Sequence, residues 1–473
     1  MTKVVGIAIA SVLVLGGGAV IWGTRASPAE PARPNVILIS VDTLRADHLG
    51  CYGYQRPTSP SIDLLARRGV RFDQAFSQSS WTLPSHLSLL TSRYPHSHGV
   101  ETDEQRLPDD VTTLAEALGD AGYSTHAFIS WVYVSDKYGF GKGFDEYQEL
   151  LPPSDEVTSS TEASIKASAF VDCVIEWAGL GPRQPFFLFL HLFDPHINYE
   201  PPAPFDEMFG TPSPGKTEGT FEYLRRYIKG VHREPERIPA DRRARALALY
   251  DGEIRFTDHE LGRLWTALGD RGLLDNSVIV FTSDHGEEFD DHGSMEGHQW
   301  TLYDEVLHIP LIMVFPHHRF AGRTVPAVAQ LIDVAPTILD FLDLDIPTEF
   351  QGRSLLPLLT GVASDEPPGM AFSEIKRFNE KWAVRTPTHK LIYTKDIGLN
   401  ARGVPVVPGY ELYDTSRDPR EQENIYEESD PLARELVILL RRWMETDPAP
   451  ETLSLPSLDD RDLDRLRGLG YVE

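Results

Sequence analysis

What most constrains this 473-residue chain is a series of short, unbroken apolar runs spaced between helical patterns. Asn35–Val41 shows no alternation of polar and apolar residues, as expected of a strand covered on both faces. Ser124–Ser130, Pro185–Phe193 and Ser277–Thr282 repeat the pattern, and Leu311–Phe315 is a further candidate strand. Pro60–Arg68 and Thr112–Leu118 read as helices between them. Leu247, Tyr250, Ile254, Leu261, Leu264 and Leu268 recur at helical steps, predicting a long helix packed on a sheet. Such alternation predicts an α/β fold: a mostly parallel sheet flanked by helices.

From about residue 365 the rhythm changes to shorter runs, Trp382–Val384 and Lys390–Thr394, then a helix from Pro431 to about Met444. This predicts a larger domain over residues 35–364 and a smaller C-terminal α+β subdomain over 365–473. Residues 210 to about 240, rich in Gly, Pro, Thr and basic side chains, read as a surface insertion or lid. Residues 1–34 are expected to direct the chain rather than fold with it. Val4–Trp22 is uncharged and mostly apolar, and a run of about 18 such residues can span a bilayer. It predicts an uncleaved membrane anchor, with a cleaved signal peptide as the alternative. Either places the rest of the chain outside the cytoplasm, periplasmic or at the cell surface.

Charge and cysteine content exclude several functions. The net charge of −27 counts against non-specific nucleic-acid binding, which needs a cationic surface. Cys51 and Cys173 are too few for a disulfide scaffold or a four-thiolate zinc site. Hydrophobic residues at 41% rule out a disordered chain.

In open α/β sheets, ligands sit beyond the carboxyl ends of the strands. Here the first run ends at Asp42, the third passes through His191 to Asp194-Pro195-His196, and the fourth ends at Asp284-His285. One such Asp is commonly a helix cap or turn residue. Carboxylates and imidazoles delivered together from three distant segments suggest a divalent metal site. A second block, Ser80-Trp81-Thr82-Leu83-Pro84-Ser85-His86, sets hydroxyls at the start of an apolar helix. There the helix dipole favours an anionic ester group, although Thr82 or Ser85 could simply cap the helix.

These motifs, with Ser40–Gly53, Tyr94–Gly99, Thr282–Glu287, Leu302–Glu305, Gly352–Leu356 and Glu411–Asp414, occur in an order that resembles the sulfatase-like branch of the alkaline-phosphatase superfamily. The resemblance runs from Asn35 to the C-terminus. It implies a sulfatase-like catalytic domain and a metal-dependent ester hydrolase or transferase. By position it makes Asp42, Asp284 and His285 metal ligands, with Thr82 as nucleophile completing the coordination. His196 then stands near the leaving group, and His298 contacts the transferred group. Asp194 and His196 could alternatively hold a second metal.

The chain departs from sulfatases at the nucleophile. Sulfatases carry Cys or Ser there, in a motif with an arginine, and convert it to formylglycine. This sequence has Thr82, and His86 replaces the arginine. Oxidising threonine at Cβ would give a ketone, so formylglycine is not expected. A threonyl sulfate has no collapse back to an aldehyde to expel sulfate. A threonyl phosphate can be opened in line by an activated water or alcohol. Thr43 stands where sulfatases commonly carry a second acid, and His285 suits zinc or manganese first, then calcium or magnesium.

The expected substrate is therefore a small anionic phosphate ester, with a lipid or glycan head group as its carrier. Two alternatives stand beside it: a sulfatase in the strict sense, and a membrane-tethered binding protein without turnover. Arg45, Asp47 and His48 are expected to support the Asp42 loop, and Trp81 to pack beside the nucleophile turn. His96 and His98 are expected to shape the turn after the nucleophile helix. Asp290, Asp291 and His292 read as a solvated acidic loop.

Overall fold

The computed structural model describes residues 33–152, 165–210, 216–227, 237–293, 298–361, 369–399, 403–446 and 455–468. The apolar run at Val4–Trp22 and part of the expected insertion at 210–240 lie outside them. Among the described residues, no helix is long and apolar enough to cross a membrane.

Eight strands form the main sheet: β1 (Asn35–Val41), β2 (Val70–Phe76), β3 (Ser124–Ile129), β4 (Glu146–Glu149), β5 (Phe186–Leu192), β6 (Ser277–Thr282), β7 (His308–Val314) and β8 (Arg323–Gln330). Their order is β4-β3-β5-β1-β6-β7-β2-β8. β1 is central, parallel to β5 on one side and β6 on the other. Every residue of β1, β5 and β6 is buried, which is why their sequences show no alternation. Helices cover the faces, including the long Ala240–Asp270.

The strand expected at Leu311–Phe315 runs His308–Val314 and is antiparallel to both neighbours. The described residues between β6 and β7 include no helix longer than Asp304–Leu307. Without a crossover helix the chain re-enters the sheet from the edge it has just left. The segment after β6 thus stays at the carboxyl edge, where it carries Asp284, His285, Glu287 and His298.

A second sheet, β9 (Ala371–Ile375), β10 (Lys381–Arg385), β11 (His389–Thr394) and β12 (Gly409–Asp414), is wholly antiparallel. One face packs Trp382, Val384, Leu391 and Leu412 against Leu436, Leu440 and Trp443 of helix Pro431–Met444. The sheet also grips the loop before the expected nucleophile. Ser373 Oγ donates to Ser77 O at 2.5 Å, Glu374 N to Gln78 O at 2.9 Å, and Ser79 Oγ to Glu374 O at 2.8 Å.

Candidate active site

Four strand ends build the site. β1 delivers Asp42, β6 delivers Asp284 and His285, and β5 leads to His196. β2, whose charged alternation hid it in the sequence, leads through Ser77–Trp81 into helix Thr82–Thr91. All ten residues of that helix are buried. Neither Thr82 nor Ser85 caps it, contrary to the simpler reading of those hydroxyls. Ser85 Oγ instead donates to Ser79 O at 2.7 Å, fixing the preceding loop.

Asp42, Asp284 and His285 bring ligand atoms within 4.8 Å of one another. His285 Nδ1 donates to Gly286 O at 2.9 Å, which turns the Nε2 lone pair inward. Nε2 then lies 3.2 Å from Asp284 Oδ2 and 3.8 Å from Asp42 Oδ1. Asp42 Oδ1 and Asp284 Oδ2 are buried without hydrogen-bond partners. Burial pushes the Asp42 carboxyl well up, and the Asp284 and Glu287 charges push it further. Burial raises Asp284 too. Two buried carboxylates with orphaned oxygens facing an imidazole lone pair are a donor set that fits a divalent cation. The Thr82 hydroxyl opens onto the same space, 3.5 Å from Asp42 Oδ2 and 3.4 Å from His285 Nε2.

The two outer histidines continue from this cluster. The His298 ring stacks on His285 at 4.7 Å, and His196 meets His298 edge-on at 5.2 Å. Burial pulls both His196 and His298 down to about 3, with His298 adding to the shift on His196 and Arg377 to that on His298. His196 Nδ1 donates to Ile197 O at 2.8 Å, and His298 Nδ1 lies 3.0 Å from Glu287 Oε1.

Asp194 serves the scaffold. Its Oδ2 accepts from Ala167 N at 2.7 Å and its Oδ1 faces Lys166 Nζ at 3.3 Å. Arg45 reaches Glu287 O and Asp291, and His48 pairs with Asp251, as expected of supporting residues. His98 and His96 bind Pro84 O and Glu374 beside helix Thr82–Thr91. The expected solvated loop is different: Asp291 holds Arg45 and Arg243, while His292 stacks on Tyr303 at 3.6 Å. Local acidity suggested a wet surface, but arginines from distant segments neutralise it.

Several residues at the site carried no assigned role in the sequence. His191 Nε2 lies 3.3 Å from Asp42 Oδ2, and His86 bridges Ser40 Oγ and Thr82 O, both at 2.9 Å. Glu287, pushed up to about 7 by burial, accepts from Tyr199 OH at 3.1 Å. Arg377, between β9 and β10, had no motif at all. Its guanidinium lies 4.6 Å from the Trp81 ring centre, contacts Gln299 Oε1 at 3.2 Å and Tyr133 OH at 2.7 Å, and pairs with Asp103 at 2.6 Å. Gln299 in turn meets His298 Nε2 at 3.3 Å.

Fold and site together define a mixed α/β protein with a candidate metal centre at the carboxyl edge of a mostly parallel sheet. The sulfatase family matches residues 34–344, and the C-terminal family of N-sulphoglucosamine sulphohydrolase matches 292–446. The chain belongs to the sulfatase family. It is 25% identical to an N-acetylglucosamine-6-O-sulfatase of Bacteroides thetaiotaomicron, over 93% of this chain and 92% of that protein. A solved structure in complex with D-glucosamine-2-N,6-O-disulfate superposes with a TM-score of 0.70 at 23% identity, over 88% of this chain and 99% of that one. The phosphonate monoester hydrolase of Agrobacterium radiobacter gives 0.69, also at 23% identity, over 87% and 96%. The two structural likenesses establish the sulfatase fold. Family membership makes this a sulfatase-family hydrolase; enzymes of that family use a divalent metal ion, and Asp42, Asp284 and His285 form the candidate cluster for one here.

Proposed function

We propose that this sulfatase-family hydrolase acts on phosphate esters, by hydrolysis or transfer, with Thr82 as nucleophile. The observation that carries the reading is the Thr82 hydroxyl, which shares one buried space with Asp42 and His285 at the first residue of its helix. Asp42, Asp284 and His285 would hold the ion, zinc or manganese by the chemistry of the donor set. A divalent ion there would supply a lower pKa for the Thr82 hydroxyl and polarisation of a non-bridging ester oxygen.

Thr82 Oγ1 attacks phosphorus in line as the bond to the leaving oxygen breaks, and its proton leaves toward Asp42. The phosphothreonine is then opened by water or an acceptor alcohol, a route closed to a threonyl sulfate without attack at sulfur. His196 and His298 are neutral while buried and unliganded, but an anionic ester stabilises their protonated forms. Each can then hold the ester's charge or donate to the leaving oxygen. Sulfated-glucosamine chemistry among the relatives supports a glycan as one carrier of the ester, beside a lipid head group. The apolar run Val4–Trp22 supports an extracytoplasmic, tethered or secreted protein.

The second reading, a strict sulfatase, is favoured by the near full-length likeness to a glycan sulfatase. A panel of phosphomonoesters, phosphodiesters, phosphonates and sulfate esters separates the two, run with zinc, manganese, magnesium and calcium on wild type and Thr82→Ala. Phosphate-ester turnover lost in Thr82→Ala and on chelation is expected. Sulfate-ester turnover alone, lost in Thr82→Ala, overturns the phosphate reading. No turnover, with no bound metal, points to a binding protein.

A further inference from the structure

The carboxyl edge of the main sheet holds the site. The amino edge, about 20 Å away along strands such as β1, contributes none of its residues. The loops of that edge interlock. Asn35 N donates to Asn276 O at 2.9 Å, and His317 N to Asp275 O at 3.1 Å. Arg33 Nη1 donates to Ala121 O at 2.7 Å, and Arg183 Nη2 to Gly122 O at 3.3 Å. The end of helix Pro60–Arg68 joins the same surface, since Gly69 O accepts from Gly322 N at 2.9 Å.

Charge and exposed apolar groups set this surface apart. Arg33, Arg67, Arg68, Arg183, Arg271 and Arg319 are exposed there, against Asp120, Asp270 and Asp275. The chain as a whole leans the other way, with 71 acids to 44 Lys and Arg. Leu180, in the loop after helix Ala167–Gly179, is 82% exposed, and Leu64 is 42% exposed. Leu64 borders a cavity of about 500 Å³ between helices Pro60–Arg68 and Ala240–Asp270, whose walls include Leu65, Trp265, Leu274 and Phe315 beside Arg68. Single exposed leucines are ordinary, but an apolar opening among arginines at one edge of an acidic protein marks an interaction surface.

Chain connectivity bears on what this edge faces. The compact unit begins at Arg33, on this edge, and the apolar run Val4–Trp22 precedes it. Residues 23–32, between them, can extend at most about 35 Å. We propose that the amino edge is a membrane-docking face: it settles on a bilayer surface carrying anionic lipid and turns the site outward, away from the bilayer. The arginines meet phosphate head groups, while Leu64, Leu180 and the cavity mouth meet the start of the acyl region. The same lipids repel the acidic remainder of the protein, which fixes the orientation. The inference rests on the tethered reading of Val4–Trp22 and owes nothing to the ester chemistry at Thr82.

The test reconstitutes the full chain in vesicles of phosphatidylcholine, with and without phosphatidylglycerol as a minor component. Hydrogen exchange read by mass spectrometry should be roughly threefold or more slower at 179–185 and 315–322 when phosphatidylglycerol is present, and unchanged at 205–210 beyond β5 on the site's edge. Arg67→Glu combined with Arg68→Glu, both exposed side chains, should remove the slowing, as should high salt. Equal exchange in the two vesicle types overturns the docking face, as does equal slowing at 205–210. Slowing that needs no lipid and grows with protein concentration overturns it in favour of a second copy on this edge. If the chain stays outside the vesicles, the tether is refuted, and added vesicles still decide the face. Slowing with phosphatidylglycerol then supports it, and none overturns it. Exchange needs no turnover, so the outcome is independent of the phosphate reading.

Discussion

At the scale of single residues, Asp42 and Asp284 are held at a cost, because each buries a carboxylate oxygen with no partner. Replacing either with Asn should therefore have opposite effects on two measurements. Thermal unfolding of the metal-free protein should be unchanged or slightly higher. Metal affinity by calorimetry should fall by more than the roughly 10–100-fold typical of groups that merely orient a ligand. A metal-free protein destabilised by Asp42→Asn would mean the carboxylate serves the fold instead. Arg377 makes a different point, since it reaches the site through Trp81 and Gln299. Arg377→Met should lower kcat by roughly a hundredfold through misplacement of Thr82 and His298, with metal affinity intact. Arg377→Lys should recover little, because a lysine cannot reproduce a guanidinium that contacts three partners while lying among aromatic rings. Kinetics together with metal titration of both variants decide this.

At the scale of elements, the helix that opens with Thr82 is positioned by β9 as much as by β2. Glu374 is central: its backbone binds Gln78 and Ser79, and its carboxylate meets His96 Nδ1 at 2.7 Å. Burial works against the charge on His96, yet the Glu374 bond raises its pKa; His96 in turn lowers that of Glu374. The histidine's share of stability is complete below its unfolded value and is lost as pH rises through the raised folded value. The glutamate's share is complete above its unfolded value and is lost as pH falls through the lowered folded value. Glu374→Gln should therefore cost most between the two unfolded values, about pH 4.5 to 6.5, at roughly 3 kcal/mol. Denaturant unfolding at pH 6 and pH 9 should show the smaller cost at pH 9, and an equal cost at both would contradict the pairing.

What the sequence disclosed also divides by element. β1, β5, β6, helix Pro60–Arg68 and helix Pro431–Met444 were legible because burial on two faces, or an apolar stripe, writes itself into the pattern. β2, β4 and β8 were not. β2 alternates with the half-buried Arg71 and Asp73, β4 is a short charged edge, and β8 is an edge strand containing Pro326. The candidate metal ligands and Thr82 stood out because strand ends and a motif marked them. Arg377 and the clamp at Glu374 were invisible, since a contact across some 300 residues of chain leaves no local signal.

On the scale of the whole molecule, residues Arg33–Glu473 form one compact unit, and the small sheet contributes to the site rather than sitting beside it. The acidic chain, at −27, is matched to an anionic substrate only locally. On the proposed reading a cation sits between Asp42 and Asp284, since Arg377 is already paired with Asp103. Removal of metal should abolish substrate binding as well as turnover, which equilibrium dialysis with a radiolabelled phosphate ester would detect. The central claim is that Thr82 becomes covalently bound to phosphorus during turnover. Acid quenching of the metal-loaded enzyme during turnover of a phosphodiester, followed by peptide mass spectrometry, tests it most directly. A substrate-derived adduct on Thr82, phosphorus still carrying the ester group that did not leave, absent from wild-type enzyme quenched without substrate, is the predicted result. An unmodified Thr82 peptide, with phosphate-ester turnover persisting in Thr82→Ala, would contradict it.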